Sequence, residues 1–383
     1  MDNPFDRFAL SDLTGRRTLK WQAFPSDVLP LWVAEMDTDL PEPVRAAVTA
    51  AIERSEVGYP WGRSYPDALA AFAAASWDWA VDPATLRHTT DVMTGMANVI
   101  RLVARPEAVL VITTPVYPPF LDLPAVTGRP VRYARLTVDG RLDPDSLTRE
   151  LASIRADRGQ PVLLLANPHN PTGVAHTRTE LEQVAGLAHE YGARVVVDEI
   201  HGPLALAGAV FTPYLSVPGT EQAYAVHSAS KAFNLPGLKA ALIVPGAAAV
   251  DEITAGLPES VDHSASWMGV LAHSVALAEG RDWLACHLAG LAANRTLLAS
   301  LLAERLPGVR WRPPEATYLA WLDCRGLGVT GDPAEVFLTR GRLALNSGTA
   351  FGPGGGGHVR LNFATATTIL IEAVERIRTS VAD

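Results

Sequence analysis

The sequence predicts an α/β protein, in which a domain with a large mixed, mostly parallel sheet is joined to a smaller α+β domain. The chain has 383 residues, 48% of them hydrophobic, and this length exceeds what one simple core usually supports. From about residue 88 onward, short β-branched runs alternate with segments whose apolar residues recur at helical spacing. The short runs are apolar throughout, as strands buried on both faces of a parallel sheet require.

Residues 1–42 are predicted to form an N-terminal arm that also contributes to the smaller domain. Two helices are expected to follow, over residues 44–52 and 65–79, because alanines and larger apolar residues lie there at helical spacing.

Residues 43–262 are assigned to the large domain and residues 263–383 to the smaller one. The strands predicted for the large sheet cover residues 108–113, 161–166, 194–197, 223–227 and 240–244, with a helix over residues 179–191. The elements predicted for the smaller domain are helices over residues 265–278, 282–305 and 369–379 and a strand over residues 318–323.

Composition and charge exclude several classes of partner. The net charge is −9 and no run is rich in Lys or Arg, so no surface is expected to attract nucleic acid or an anionic membrane. No apolar run approaches the roughly 18 residues of a membrane span, and the first residues lack the basic and apolar parts of a signal peptide. We therefore expect a cytoplasmic protein whose partners are small molecules.

Lysine is rare in this chain. Of its 32 Lys and Arg residues only Lys20, Lys231 and Lys239 are lysines. An arginine supplies charge and hydrogen bonds but cannot be deprotonated to act as an amine nucleophile, whereas a lysine can. The few lysines are therefore candidates for chemistry.

Polar segments follow three of the predicted buried strands, and they are residues 167–173 (NPHNPTG), 198–201 (DEIH) and 228–239 (SASKAFNLPGLK). Singly, a strand-end acid is often a helix cap, Asn-Pro is a turn signal and a lone lysine is a surface charge. The carboxyl ends of parallel strands meet at one edge of a sheet, however, and ligands bind there. The acid Asp198, the amide Asn170 and the amine Lys231 are therefore expected to face one ligand.

Pyridoxal phosphate is a ligand that needs these three groups. Its aldehyde forms an imine with a lysine, for which Lys231 is available, and its ring nitrogen needs a carboxylate such as Asp198. Its 3-oxygen needs a hydrogen-bond donor, which Asn170 can supply. Tyr117 follows another predicted strand and is expected to stack on the ring.

The phosphate of this cofactor needs backbone N–H groups, hydroxyls and a cation. Gly95, Met96 and Ala97 lie in a turn that opens an apolar helix, and a helix N-terminus binds anions. Ser228 and Lys239 complete the predicted phosphate site.

With these motifs the sequence resembles the fold-type I pyridoxal-phosphate enzymes of the aminotransferase class I/II superfamily. It is most similar to their bacterial cystathionine β-lyase, or C-S lyase, branch. The resemblance extends from residues 32–37 (WVAEMD) through the three polar segments to residues 360–362 (RLN). It implies the PLP-dependent transferase fold of the aspartate aminotransferase type, pyridoxal 5'-phosphate as cofactor, and an obligate homodimer with shared active sites.

The resemblance also implies roles for single residues. The catalytic residues would be Lys231, Asp198 and Tyr117. The residues implied to bind the cofactor are Tyr59, Gly95, Met96, Ala97, Tyr117, Asn170, Asp198, His201, Ser228, Lys231 and Lys239, and Tyr59 would reach the cofactor of the neighbouring subunit. The residues implied to bind the substrate are Arg360, as a clamp for its α-carboxylate, together with Ala34 and Asn170.

Two further motifs are interpreted without a functional role. Residues 352–357 (GPGGGG) match the dinucleotide-binding pattern G-x-G-x-x-G, but they precede a strand-like segment instead of opening a helix after a strand. Asp198, Glu199 and His201 lie on one short stretch with no second cluster, so no metal site is expected.

The resemblance favours a carbon-sulfur β-lyase that cleaves an L-cysteine conjugate or a thioether such as cystathionine to a thiol, pyruvate and ammonia. Aminotransferases of the superfamily commonly carry a tyrosine three positions after the aspartate, whereas this chain has His201 there, as the lyase branch does. An aminotransferase is the alternative, and a non-enzymatic regulator on the same fold is a further one. Glu35 replaces the aspartate usual in the branch, and residues 365–367 replace a proline-arginine pair, so the substrate pocket is expected to differ.

Overall fold

The computed structural model describes residues 3–382 of the chain. Within this range the strands are, in chain order, β1 Leu29–Pro30, β2 Arg87–Thr89, β3 Ala108–Thr114, β4 Val131–Arg135, β5 Gln160–Ala166, β6 Arg194–Asp198, β7 Tyr224–His227, β8 Ala241–Pro245, β9 Arg310–Trp311, β10 Leu319–Asp323, β11 Leu343–Ala344, β12 Asn346–Ser347 and β13 His358–Asn362. The α-helices of the same range are α1 Leu10–Thr14, α2 Leu19–Gln22, α3 Glu42–Glu53, α4 Ser64–Trp77, α5 Val92–Val103, α6 Pro119–Thr127, α7 Pro144–Ala156, α8 Arg178–Tyr191, α9 Val250–Gly256, α10 Trp267–Glu279, α11 Arg281–Arg305, α12 Pro333–Thr339 and α13 Thr367–Val381.

Among residues 3–382, seven strands form the central sheet, in the order β2-β8-β7-β6-β5-β3-β4. The strands β3 to β7 pair in parallel with one another, whereas β8 is antiparallel to both β7 and β2. The register sets Ala166 beside Asp198, and Asp198 beside Val226. The carboxyl ends of β5, β6 and β7 therefore lie level at one edge of the sheet.

Both faces of the central sheet are buried, which explains why its strands are apolar throughout. Successive residues of a strand point to opposite sides of the sheet. In β5, Leu164 packs in one core with Ile100 of α5, while Leu163 packs in the other core with Leu181 of α8. All four side chains are fully buried.

The carboxyl-terminal part of the chain forms a four-stranded antiparallel sheet in the order β12-β13-β10-β9. Strand β13 places Arg360 opposite Trp321 of β10. The amino-terminal segment joins this region, because β1 pairs in parallel with β11 and sets Leu29 beside Leu343. Helix α10 packs against α3 and α4.

The structure confirms the predicted α/β class and the mostly parallel sheet, with three local differences. Strand β8 runs antiparallel to its neighbours. Helix α4 ends at Trp77, because Asp78 adopts a left-handed φ of 50°, and Asp198 is the last residue of β6 instead of following it. The domain limits at residues 42 and 262 stay a prediction. No helix in the described part of the chain is long and apolar enough to cross a membrane.

Candidate active site

Side chains from the ends of the central strands and from the start of α5 line one cavity. Its lining consists of Ala34, Asp91, Val92, Met93, Tyr117, Asn170, Asp198, Ile200, His201, Ser228, Ser230, Lys231, Pro236, Leu238, Lys239 and Ala240. The structure therefore brings Asp198, Asn170 and Lys231 together, as expected from their positions after neighbouring parallel strands.

Lys231 lies in the loop after β7. Its Nζ donates a hydrogen bond to the carbonyl of Ala34 at 2.8 Å. Burial lowers the pKa of Lys231 to about 8, and the cations Arg360 and Lys239 act in the same direction. A lysine with this pKa is partly uncharged near neutral pH, and the uncharged amine is the form that reacts with an aldehyde or accepts a proton.

Asp198 closes β6 and is 6% exposed. Its Oδ1 accepts a hydrogen bond from the backbone N–H of Ile200 at 3.0 Å. Burial raises the pKa of Asp198 to about 7, because the ionised carboxylate loses hydration. A buried carboxylate gains stability when a cation binds beside it, so this position suits a ligand with a protonated nitrogen.

Arg360 on β13 contacts Asn170, and Asn170 lines the cavity. Its Nη1 donates to Oδ1 of Asn170 at 3.0 Å, and its Nη2 donates to the carbonyl of Trp32 at 3.0 Å and to Oδ1 of Asn346 at 2.7 Å. Its Nε is buried without a partner among the described residues. Burial lowers the pKa of Arg360 to about 10, so the guanidinium stays charged at neutral pH. Such a buried cation suits an anionic group of a substrate.

Two aromatic rings, Tyr117 and His201, line the cavity, and Tyr318 packs against His201. Burial lowers the pKa of His201 to about 3, so this ring is neutral at neutral pH. Tyr318 meets it edge-on with ring centroids 6.3 Å apart, and its hydroxyl donates to the carbonyl of Ala34 at 3.0 Å. Tyr117 donates its backbone N–H to the carbonyl of Asn170 at 2.9 Å, and burial raises the pKa of its hydroxyl. Sequence reasoning missed Tyr318, which lies outside the strand-end segments.

Gly95, Met96 and Ala97 do not line the cavity, and this corrects their predicted role at the phosphate. Helix α5 begins at Val92, so these three residues lie beyond the first helical N–H groups. The N–H of Gly95 already donates to the carbonyl of Asp91 at 2.9 Å. All three residues are buried. Their backbone groups are therefore not available to an anion.

The free end of α5 is formed instead by Val92 and Met93, which line the cavity. Asp91 caps the helix by accepting the N–H of Thr94 at 2.9 Å, which leaves the N–H groups of Val92 and Met93 without a partner in the helix. Nζ of Lys239 lies 3.1 Å from Oδ2 of Asp91. Two helix-start N–H groups beside a lysine can hold a phosphate. The signal that could have found them is Asp91, a typical N-cap residue before an apolar run.

Ser228 lines the same cavity as the start of α5. Its Oγ donates to the carbonyl of Ala240 at 2.8 Å and accepts the N–H of Ser230 at 3.3 Å. Both serines line the cavity with Lys239, so hydroxyls and a cation stand where the phosphate is expected.

Tyr59 does not join the cavity of its own chain. It lies between α3 and α4 and is 83% exposed, with its ring centroid 6.1 Å from that of His263. Trp61 in the same loop is 85% exposed. The contact of Tyr59 with the cofactor of a neighbouring subunit stays a prediction.

Ala34 lines the cavity, and residues 33–36 are fixed by side chains from distant parts of the chain. Nδ2 of Asn362 donates to the carbonyls of Val33 and Glu35, both at 2.7 Å. Fully buried Lys20 donates to the carbonyl of Glu35 at 3.1 Å. The side chains that donate to this segment are Lys20, Lys231, Asn234, Tyr318 and Asn362. The backbone carbonyl that holds Lys231 is therefore rigidly placed.

The described residues fit pyridoxal 5'-phosphate. Lys231 suits its aldehyde, Asp198 its ring nitrogen, and the start of α5 its phosphate. The buried Nδ1 of His201 has no partner among the described residues and so remains available to a ligand. Within residues 3–382, no group of three or more His, Cys, Asp or Glu side chains could hold a metal ion.

Comparison with known proteins gives the family. The family described as aminotransferase class I and II matches residues 26–377. A Mycobacterium tuberculosis protein provisionally named cystathionine beta-lyase is 47% identical, over 100% of this chain and 99% of its own length. A Corynebacterium glutamicum protein named cystathionine beta-lyase is 35% identical, over 96% of this chain and 98% of its own.

A solved structure shows the same fold. It is from Corynebacterium diphtheriae and is provisionally described as a PLP-dependent beta-cystathionase. It is 33% identical to this chain, covers 98% of each chain and gives a TM-score of 0.92. The fold, the cofactor and the enzymatic nature expected from the sequence are thereby confirmed. The chain belongs to the aminotransferase class I and II family, as a pyridoxal-phosphate-dependent enzyme of its cystathionine beta-lyase branch.

Proposed function

We propose that this enzyme is a carbon-sulfur β-lyase that cleaves an L-cysteine conjugate or a cystathionine-like thioether to a thiol, pyruvate and ammonia. The observation that carries the proposal is a buried amine with a lowered pKa, Lys231, which lines one cavity with a buried acid, Asp198, while the buried guanidinium of Arg360 contacts Asn170 of the same lining. The relatives named cystathionine beta-lyase support the same reaction.

The side chains orient the substrate from two sides. Arg360 and Asn170 bind the α-carboxylate, as buried donors that carry or border a positive charge. The α-amino end then lies towards Lys231, whose Nζ is held by the carbonyl of Ala34 at 2.8 Å. This arrangement brings the Cα–H bond to the lysine amine.

Proton transfer is the task of Lys231. Pyridoxal phosphate, when bound, supplies the sink for the electron pair that Cα releases, and Asp198 keeps the ring nitrogen protonated. Lys231 Nζ takes the Cα proton. The Cβ–S bond then breaks, its electron pair leaves with sulfur, and the proton held by Lys231 passes to sulfur to give the thiol. The released aminoacrylate reacts with one water to give pyruvate and ammonia.

An assay of products tests this function. The purified holoenzyme is supplied with L-cystathionine and with S-propyl-L-cysteine, and pyruvate and free thiol are measured without any added keto acid. Equal amounts of thiol and pyruvate are expected. Activity that requires a keto acid as amino acceptor would instead identify the aminotransferase, the second candidate function, which needs the same lysine and acid.

The variant Lys231→Ala provides the control for this assay. Without the amine, pyruvate formation should fall to background. Borohydride reduction of the holoenzyme should attach the cofactor covalently to the wild-type peptide that contains Lys231, as read by mass spectrometry, and should attach none to this variant. Cofactor attached elsewhere in the chain would refute the role of Lys231.

We also propose that the enzyme acts as a homodimer with shared active sites. The support is the loop between α3 and α4, where Tyr59 and Trp61 are 83% and 85% exposed. Large exposed aromatic side chains are typical of interaction sites.

A further inference from the structure

Lys20 is a lysine to which the proposed reaction gives no role, although lysine is rare in this chain. It lies in α2, and both Lys20 and Asp37 are fully buried. Its Nζ lies 2.7 Å from Oδ2 of Asp37. The other oxygen of this carboxylate, Oδ1, accepts a hydrogen bond from Nε1 of Trp21 at 3.2 Å. The ion pair is therefore enclosed, and both carboxylate oxygens have a donor.

Stability alone does not explain a buried pair of this kind. Two charges that lose their hydration often contribute no more to the free energy of unfolding than two apolar side chains of similar volume. What the carboxylate of Asp37 does supply is a fixed position for the ammonium group of Lys20. The value of that position depends on what else the ammonium group contacts.

The second contact of Lys20 is the backbone of the segment that borders the active site. Its Nζ donates to the carbonyl of Glu35 at 3.1 Å. The N–H of Glu35 donates to the carbonyl of Val33 at 2.9 Å, which closes a tight turn with Ala34 at its centre. The carbonyls of Ala34 and Glu35 belong to successive peptide units, so a shift of the second unit moves the first.

The carbonyl of Ala34 is the acceptor that holds the proposed base. Nζ of Lys231 donates to it at 2.8 Å, and the hydroxyl of Tyr318 donates to it at 3.0 Å. This acceptor fixes the direction of the Lys231 amine. It also stabilises the protonated amine, against the burial that lowers the pKa of Lys231 to about 8. Proton transfer from Cα depends on such placement of the accepting group.

We propose that Lys20, held by Asp37, is a positioning residue that fixes the turn at Ala34 through the carbonyl of Glu35 and so directs the Lys231 amine towards Cα of the substrate. Lys20 does not line the cofactor cavity, so it acts through this backbone. The inference rests on the proposed function, in which Lys231 takes the Cα proton.

The double variant Lys20→Met/Asp37→Asn tests this role. It removes both charges together, so no unpaired ion is left in the core. Asparagine keeps an oxygen that can accept from the indole of Trp21. Methionine keeps an unbranched side chain but has no donor for the carbonyl of Glu35.

The first measurement is the rate at which the holoenzyme releases tritium from Cα-labelled S-propyl-L-cysteine in a single turnover. This step comes before the C–S bond breaks, and the lyase and the aminotransferase both require it. In the double variant the rate should fall about tenfold or more, because a small displacement of a reacting group has effects of this size. The substrate concentration that gives half of the maximal rate should stay unchanged, since Arg360 and Asn170 are retained.

The second measurement needs no cofactor. The full-length apoenzyme is treated briefly with acetic anhydride between about pH 6 and 10, and acetylation of Lys231 is read by mass spectrometry, since only the uncharged amine reacts. The wild-type midpoint should lie near the pKa of about 8. In the variant it should move down by about 0.5–1 pH unit, because the ammonium form loses a well-placed acceptor. The charged groups that act on Lys231 are Arg360, Lys239, Glu35 and Asp198, and the variant retains all four.

Arg194→Met/Glu252→Gln is the matched control, because it removes in the same way an ion pair at the start of β6, whereas Asp198 ends that strand. Its rate of tritium release and its midpoint should equal those of the wild type. If the first double variant does not fold, Lys20→Met/Asp37→Leu, with two apolar side chains in place of the pair, should show the same two changes. An unchanged rate, an unchanged midpoint, or the same changes in the control would overturn the proposal.

Failure of the proposed function gives different results. If the wild type releases tritium but no pyruvate, the lyase reaction fails, and Lys20 is still judged by the rate of tritium release. If borohydride attaches the cofactor to a peptide that lacks Lys231, the role of Lys231 fails and the inference fails with it.

Discussion

Arg360 is charged, buried and without a carboxylate partner in residues 3–382, so its role can be tested by single substitutions. Arg360→Lys keeps the positive charge but removes the forked donors that suit a carboxylate. We expect kcat/KM for a thioether amino acid to fall about 30- to 100-fold, equivalent to about 2–3 kcal/mol. The measurement is the rate of pyruvate formation at several substrate concentrations.

Arg325→Lys is the control for this prediction, since Arg325 is exposed and pairs only with Asp323 at the end of β10. Its kinetics should match those of the wild type. Wild-type kinetics in Arg360→Lys would instead show that the α-carboxylate binds elsewhere.

The sequence predicted site residues well where they lie at the carboxyl ends of parallel strands, because ligands bind there. Asp198 closes β6, Asn170 and Lys231 follow the adjacent parallel strands β5 and β7, and the structure places all three in one cavity. It did not predict the partners that cross between elements. The contact of Glu199 with His227 depends on the register of β6 and β7, which no local pattern of residues reveals.

At the scale of elements, the sequence predicted α5 correctly but assigned the free N–H groups at its start to the wrong residues. The sequence predicted a helix N-terminus at the phosphate, which agrees with the position of α5 beside the cavity. The predicted turn lay at Gly95, Met96 and Ala97, but Asp91 caps the helix one turn earlier. Gly95 is needed for packing, because a Cβ atom there would lie 2.9 Å from methyl groups of both Thr89 and Val226.

Gly95→Ala is therefore expected to destabilise the protein. The added methyl group must displace two buried side chains, at a cost of about 1–3 kcal/mol in the free energy of unfolding. Gly186→Ala is the matched variant in α8, where a Cβ atom would meet nothing within 4 Å, and it should stabilise by about 0.5–1 kcal/mol. Urea unfolding of the two variants checks both values. Equal stability of the two would contradict the packing role.

The strands were easier to predict than their directions. A strand buried on both faces is apolar throughout, so β3, β5, β6 and β7 could be predicted from the sequence. The antiparallel direction of β8 could not, because an apolar run does not encode direction. Since β8 pairs with β7 and not with β6, which carries Asp198, its direction does not affect the predicted site.

At the scale of the whole molecule, the proposed homodimer makes a prediction about mixed subunits. If Tyr59 serves the site of the neighbouring subunit, Tyr59→Ala and Lys231→Ala homodimers should both be impaired. Exchange of their subunits should then restore about a quarter of wild-type activity, because half of the dimers are mixed and each has one intact site. Pyruvate formation after exchange, with size-exclusion chromatography to confirm the dimer, measures this. No gain of activity would show that Tyr59 acts in its own subunit or not at all.

The backbone near Lys231 is fixed by residues that lie far apart in the sequence, and this affects when the active site can form during synthesis. Lys231 and Asp198 leave the ribosome well before Arg360 and Asn362, which fix the backbone around Trp32 and Val33. A nascent polypeptide that ends before β13 carries Lys231 but lacks Arg360, the proposed clamp for the carboxylate. We therefore expect a product truncated before β13 to contain Lys231 and yet to be inactive, because Trp32 and Val33 lack these side-chain donors.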